Sequence, residues 1–155
     1  MELLFKQRIF SWFDSYDIYN EEGNAVFKVK GRPSWGHCLQ IYDAQNRHVG
    51  TVKEVLFAFR PKFQFYVDGI CIGEIKKRLS IGNHYNLNCN GWRVQGNIAG
   101  WNYSILDSAG NRLATISKKL LTWTDTYVID VADPKNALLS LMIVLAIDAE
   151  KCTND

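Results

Sequence analysis

The side chains able to do chemistry in this chain are basic residues, 4 cysteines, 3 histidines and a set of aspartates. Only the basic residues recur in a pattern. Lys28, Lys30 and Arg32, then Lys53, then Lys76, Lys77 and Arg78, then Lys118 and Lys119 each close an alternating apolar run. Gathered ammonium and guanidinium groups attract phosphate or anionic lipid head groups. Each contributes about 1 kcal/mol near a charged surface, so several must act together. Solvated lysines at strand ends also have a plainer use, which is to discourage edge-to-edge pairing. Arg60 and Lys62 flank Pro61 among Phe57, Phe59 and Phe63, a composition suited to a loop that touches a membrane.

Other chemistries find less support. His37 adjoins Cys38, but neighbours along a strand face opposite sides. His48 and His84 stand apart, and no cysteine pair has metal-ligand spacing. Asp14, Asp17, Asp43 and Asp107 sit largely where Asx turns account for them. Asp148 is less comfortable. A carboxylate near a helix C-terminus opposes the dipole, so a basic partner is expected there, from a loop at that end. Residues 91–100 hold glycines but no P-loop lysine, and no D-x-D-x-D-G calcium loop is present. Trp92, Trp101 and Trp123, with Tyr85, Tyr103 and Tyr127, could stack bases in a single-stranded groove. Core packing accounts for them more simply, so nucleic acid is not the expected partner. The residues predict no enzyme, no catalytic group, no metal and no cofactor.

These side chains need a scaffold. The 155 residues suit a single domain, 1–155, with a substantial core. A hydrophobic share of 47% with 22% charged residues is ordinary for a globular chain. Aromatics at 13%, with 11 Gly and only 3 Pro, favour sheet and tight turns. A net charge of +2 gives no global basic field, so any basic site is a local patch. The opening MELLFKQRIFSWFDS lacks a small-residue cleavage site. The expectation is reduced cysteines and a cytoplasmic protein, at most peripheral at a membrane.

Near the C-terminus, 136–147 reads NALLSLMIVLAI, without a charge. Asp133-Pro134 before it supplies an N-cap and a proline at the first helical position. Its apolar residues go round the whole cylinder, and such a helix must be buried all round. A membrane span needs about 20 apolar residues; this run stops at Asp148 after about a dozen. It reads as a core helix.

The rest repeats. IYDAQNRHVGTV at 41–52 matches ILDSAGNRLATI at 105–116, and 18–29 follows the same register. A shorter version at 65–75 turns at Asp68-Gly69, and further hairpins are expected at 88–91 and around 95–97. Alternation predicts about twelve short strands, near 5–10, 16–19, 25–29, 38–42, 49–56, 63–67, 70–76, 84–88, 92–94, 101–106, 112–117 and 126–131. About eight strands make a barrel filled by its own side chains. A helix about 10–12 Å across needs more, and an eleven-stranded can holds one. The prediction is a mostly β fold, a closed antiparallel barrel of about twelve strands around the C-terminal helix. Gly50, Gly73 and Ala114 occupy one repeat position, two before Val52, Ile75 and Ile116, where small residues would let the helix approach. Phe27 breaks that pattern.

The opening FKQRIFSWFDSYDIYNEEGNAVFKVKG, the hairpin IYDAQNRHVGTVKE, the GEIKK unit, GNIAGWNYSILDSAGNRLATISKK and the ending NALLSLMIVLAID resemble LURP-one-related proteins. These group with the tubby C-terminal domain and the phospholipid scramblases. The resemblance covers nearly the whole chain and implies a twelve-stranded barrel around a central helix. Tubby domains bind phosphoinositide head groups through basic residues, and scramblases are linked to calcium and membranes, but no residue-level copy of a tubby lipid site is present. The expected function is a non-enzymatic module recognising an anionic lipid or other phosphate-bearing ligand. Its basic rim would be Lys53, Lys76, Lys77, Arg78, Lys118 and Lys119, with Arg60 and Lys62 on a membrane-contact loop. The alternative is a protein-interaction or scaffold module without a small ligand.

Overall fold

Turn chemistry decides where the chain reverses. A computed structural model describes residues 1–6, 15–79, 85–121 and 124–153; Asp14, His84 and Trp123 lie outside them. Asp68 and Gly69 take φ of 51° and 74°, and Asn90 and Gly91 take 52° and 69°, the left-handed pair that suits two-residue hairpins. Elsewhere a side chain makes the turn. Asp43 Oδ1 accepts the N–H of Gln45 and Arg47, and Asp107 Oδ1 those of Ala109 and Asn111, all at 2.8–3.0 Å.

Between the turns run twelve strands: β1 (Glu2–Lys6), β2 (Ser15–Tyr19), β3 (Ala25–Gly31), β4 (Cys38–Asp43), β5 (His48–Glu54), β6 (Lys62–Val67), β7 (Ile70–Lys77), β8 (Tyr85–Asn88), β9 (Arg93–Asn97), β10 (Asn102–Leu106), β11 (Arg112–Leu121) and β12 (Thr124–Val131). They form one sheet in the order β8-β7-β6-β5-β4-β3-β2-β1-β12-β11-β10-β9. The β1–β12 pairing sets the first and last strands side by side. The sheet curls into a barrel that is nearly closed, because its end strands β8 and β9 share no ladder.

Asp133 then caps a 3-10 turn, Pro134–Asn136, by accepting the Lys135 N–H at 3.0 Å. The helix α1 (Ala137–Thr153) follows. Leu141, Met142, Ile143, Val144 and Ala146 have no exposed surface. A helix apolar on every side is buried on every side, as expected. It continues beyond 147, because Ala149 and Glu150 are still enclosed.

The repeat register holds in the ladders. Ile18 stands opposite Phe27, Ile41 opposite Gly50, Phe65 opposite Gly73 and Ile105 opposite Ala114, with a register shift just beyond each pair. A Cβ on Gly50 would lie 3.3 Å from Met142 and 3.5 Å from Leu138 of α1, so the helix does approach there. Gly73 differs. Its Cβ would meet the Cys89 Cβ at 2.5 Å, so its missing side chain makes room for the β8–β9 turn instead of the helix. A second difference lies at 95–97, where a hairpin was expected. Gly96 (φ 130°) is inside β9, where a Cβ would come within 2.8 Å of Tyr103 Cα. The reversal comes later, where Trp101 N–H donates to the Ile98 carbonyl.

Candidate functional site

All neighbouring strands are antiparallel, so successive connections alternate between the barrel's two ends. The connections after even-numbered strands, and the start of α1, share one end, the turn mouth. Those after odd-numbered strands share the other with the end of α1, the loop mouth. Every basic residue of the expected rim therefore falls at the loop mouth, because each closes or follows an odd-numbered strand.

Within that mouth they divide. Val52 and Ile75 are buried, so the next residues, Lys53 and Lys76, face outward and are exposed. Lys62 is Lys76's cross-strand partner, and Gln64 stands opposite Lys53. Three adjacent strands thus present Lys53, Lys62 and Lys76 on one outer wall. Lys62 also holds Glu74 at 3.1 Å. Arg60 and Arg78 lie in the flanking loops, Arg78 exposed. Lys118 and Lys119 are exposed across the mouth, on β11, with Lys119 3.9 Å from Glu2. The structure brings the rim residues to one mouth but spreads them around it. Lys77 is set apart from them. It shares the inward face of Ile75 and lies 2.6 Å from Glu150 Oε1.

The same mouth carries exposed apolar tips. Among the described residues the four most exposed large hydrophobics are Phe57 (100%), Phe59 (93%), Trp35 (87%) and Leu79 (73%). They belong to the β3–β4, β5–β6 and β7–β8 loops. The first two of these loops pack together. Gly36 (φ 91°) sits so close that a Cβ would lie 2.9 Å from Leu56 Cδ2. His37 donates its backbone N–H to Glu54 Oε2 at 2.9 Å, and its ring Nδ1 lies 2.7 Å from the same oxygen. Phe57 has φ 60°, a conformation that costs an L-residue about 1–2 kcal/mol. A fully exposed phenylalanine held in that conformation is not explained by packing.

Inside the mouth is a cluster of buried and half-buried polar groups. Glu150, 1% exposed, accepts from Lys77 and from the Tyr85 hydroxyl. Burial first, then that carboxylate, pushes the Tyr85 phenol far above its ordinary pKa. Burial also pushes Asp148 up to about 6, opposed by Lys151. The basic partner expected for Asp148 from a loop has instead gone to Glu150, and the cation near Asp148 comes from its own helix. Lys151 Nζ donates to the carbonyls of Ile98 (2.8 Å) and Ala99 (3.1 Å), and stands 4.5 Å over the Trp101 ring. The Tyr103 hydroxyl is buried without a hydrogen-bond partner among the described residues. Its pKa is raised by burial and then by Asp148.

Trp92, Trp101, Tyr85, Tyr103 and Tyr127 are all core residues, so they offer no stacking platform. Cys38, Cys71, Cys89 and Cys152 are free thiols. Among the described residues no group of three or more His, Cys, Asp or Glu side chains could hold a metal, and no helix is long and apolar enough to cross a membrane.

Sequence reasoning missed Trp35, Leu79 and Glu150. A lone tryptophan in the turn-forming run RPSWG hints at the first. Glu150 lies three and four positions beyond Ile147 and Ala146, which puts it on their buried helix face.

Comparison with known proteins adds the following. The family described as LURP-one-related matches residues 1–148. The chain is 26% identical over 150 residues to the uncharacterised protein YxjI of Bacillus subtilis, covering 96% of this chain and 92% of that one. An Arabidopsis thaliana protein solved by X-ray crystallography shares the fold, with a TM-score of 0.63 at 17% identity, over 95% of this chain and 89% of that one.

Proposed function

Since the chain belongs to the LURP-one-related family, a barrel domain without an assigned chemistry, we propose that it is a non-enzymatic binding module. Its loop mouth docks on an anionic, phosphate-bearing surface such as a phospholipid bilayer. The observation that carries this reading is the coincidence of exposed apolar tips and cations on one end. Cations in a ring suit a plane better than a single head group in a pocket. Most acids at this end are engaged: Glu54 with His37, Glu74 with Lys62, Glu150 with Lys77. Lys53, Lys76, Arg60 and Arg78 would meet the head groups at about 1 kcal/mol each. Trp35, Phe57, Phe59 and Leu79 would leave water, at most about 1.5–3 kcal/mol for each fully buried side chain. The two sets act together against the rigid-body freedom lost on docking.

Vesicle co-sedimentation tests the proposal. The full chain should bind phosphatidylcholine vesicles only when phosphatidylserine is included, and high salt should release it. Lys53→Glu with Lys76→Glu, and Phe57→Ser with Phe59→Ser, should each weaken binding. Equal binding to neutral vesicles would rule out the basic rim. A stable dimer by light scattering, with no vesicle binding, would favour the protein-interaction alternative, in which the same apolar tips meet a protein.

A further inference from the structure

The barrel wall has one place without a ladder. β8 and β9 end the sheet and meet at the tight Cys89–Trp92 turn, where Trp92 N–H donates to Cys89 O. From that turn the two strands run toward the loop mouth, and among the described residues no ladder joins them. A slit in a barrel is an exposed pair of edges, which proteins normally cover or close.

Among the described residues, what spans it is the end of α1. Consecutive helical residues point about 100° apart, and Glu150 and Lys151 use that angle to reach opposite banks. Glu150 holds the β7–β8 bank, accepting from Lys77 and from Tyr85 at the start of β8. Lys151 holds the β9–β10 bank, donating to the Ile98 and Ala99 carbonyls just past β9 and capping the Trp101 ring. Both residues lie in the helix that fills the barrel, so the two banks are tied to one rigid element.

Behind the slit lies one of the three buried hydroxyls left without a hydrogen-bond partner among the described residues. Tyr103, on β10 opposite Gly96 of β9, buries an unpartnered hydroxyl. The neighbouring Asp148 gains no hydrogen bond among the described residues. Such groups lower the cost of letting water in locally, because opening would hydrate them.

We propose that Glu150 and Lys151 form a clasp on the β8–β9 slit, and that the slit opens by local release of this clasp while the rest of the barrel stays folded. The opening unit is β8, β9 and the last turn of α1. The remaining ladders, β7 through β1 to β12, β11 and β10, are continuous and need not break.

Hydrogen exchange on the full chain tests this. In Lys151→Ala the amides of β8 and β9 paired to β7 and β10 should exchange at least about tenfold faster, while those of β3–β5 keep their rates. Glu150→Gln should act on β8 more than β9. Should that variant fail to fold, Lys151→Ala, whose side chain is only partly buried, still decides the matter. The proposal is overturned if β8 and β9 exchange only through global unfolding in the native chain. It is equally overturned if Lys151→Ala leaves their rates unchanged or accelerates every strand alike. Because no ligand enters the experiment, its outcome is independent of vesicle binding.

Discussion

The two mouths of this barrel are built from the same hairpins and differ in almost every physical property. At the turn mouth the connections are tight, polar and self-satisfied. Asp43, Asp107 and Asp133 each turn their carboxylates onto backbone N–H groups. Those bonds, preceded at Asp107 by the Asn111 side-chain amide, hold all three below the ordinary carboxylate range. At the loop mouth the β3–β4, β5–β6 and β7–β8 connections are longer and expose Trp35, Phe57, Phe59 and Leu79. There Glu150 is buried, and desolvation pushes the half-buried Asp148 up to about 6. One end is finished mainly by local chemistry; the other leaves the most exposed apolar side chains in water and a half-buried acid with a raised pKa. A chain selected for stability alone would finish both ends the same way.

Three tests probe that contrast, in decreasing order of effect. Removing the cation from the pair, Lys77→Met, takes the ammonium partner from the buried Glu150 and should cost up to about 3 kcal/mol in urea unfolding. Lys53→Met on the outer wall should change stability by less than about 0.5 kcal/mol. If the two variants cost the same, the inner and outer lysines are not distinct.

The next test is stability against pH, where the two ends pull in opposite directions. Asp148 has its folded pKa raised above the unfolded value. The unfolded chain therefore loses this proton first as pH rises, and stability falls between about pH 4 and 6. The fall is up to about 3 kcal/mol from this group. Asp148→Asn should remove that descending limb. For Asp43, Asp107 and Asp133 the folded pKa is depressed, so their contribution is present above the unfolded pKa and is lost as pH falls through the folded one. Asp107→Ala should flatten only the acid limb. A profile that Asp148→Asn leaves unaltered would show the carboxyl to be well solvated.

The smallest effect has the opposite sign. Phe57→Gly places the residue that tolerates φ 60° where a phenylalanine is strained. It should stabilise the fold by up to about 1 kcal/mol, less the entropy of the freed glycine. The same variant should bind anionic vesicles more weakly. A gain in stability with undiminished binding would mean that the tip is strained for no purpose at the surface.

Much of the scaffold was legible because its causes are local. Asp-Gly and Asn-Gly dipeptides set hairpins through their own φ angles, and the apolar girdle of 136–147 demanded burial whatever its neighbours. The register of Gly50 and Ala114 followed from the repeat. Errors fell where one strand meets something outside its own hairpin: Gly73 against the Cys89 turn, and Gly96 against Tyr103. The site was legible only in part. That basic residues close odd-numbered strands follows from the sequence, and alternation then gathers them at one mouth. Trp35 and Leu79 gave little notice, since an apolar residue in a loop is as readily tucked under as left exposed.

By itself, then, the sequence determined most of the reversals, the alternation and the enclosed helix, because each depends on torsions and periodicities within a short stretch of chain. The tertiary structure alone decided which lysine faces water and which meets a carboxylate. Lys77 and Glu150 are 73 positions apart, and only closure of the sheet around α1 brings them to hydrogen-bonding distance. It also decided that the barrel would lack one ladder, between β8 and β9. A ladder needs two strands to present matching edges along their length, and the curvature of the other ten fixes where the last two can lie.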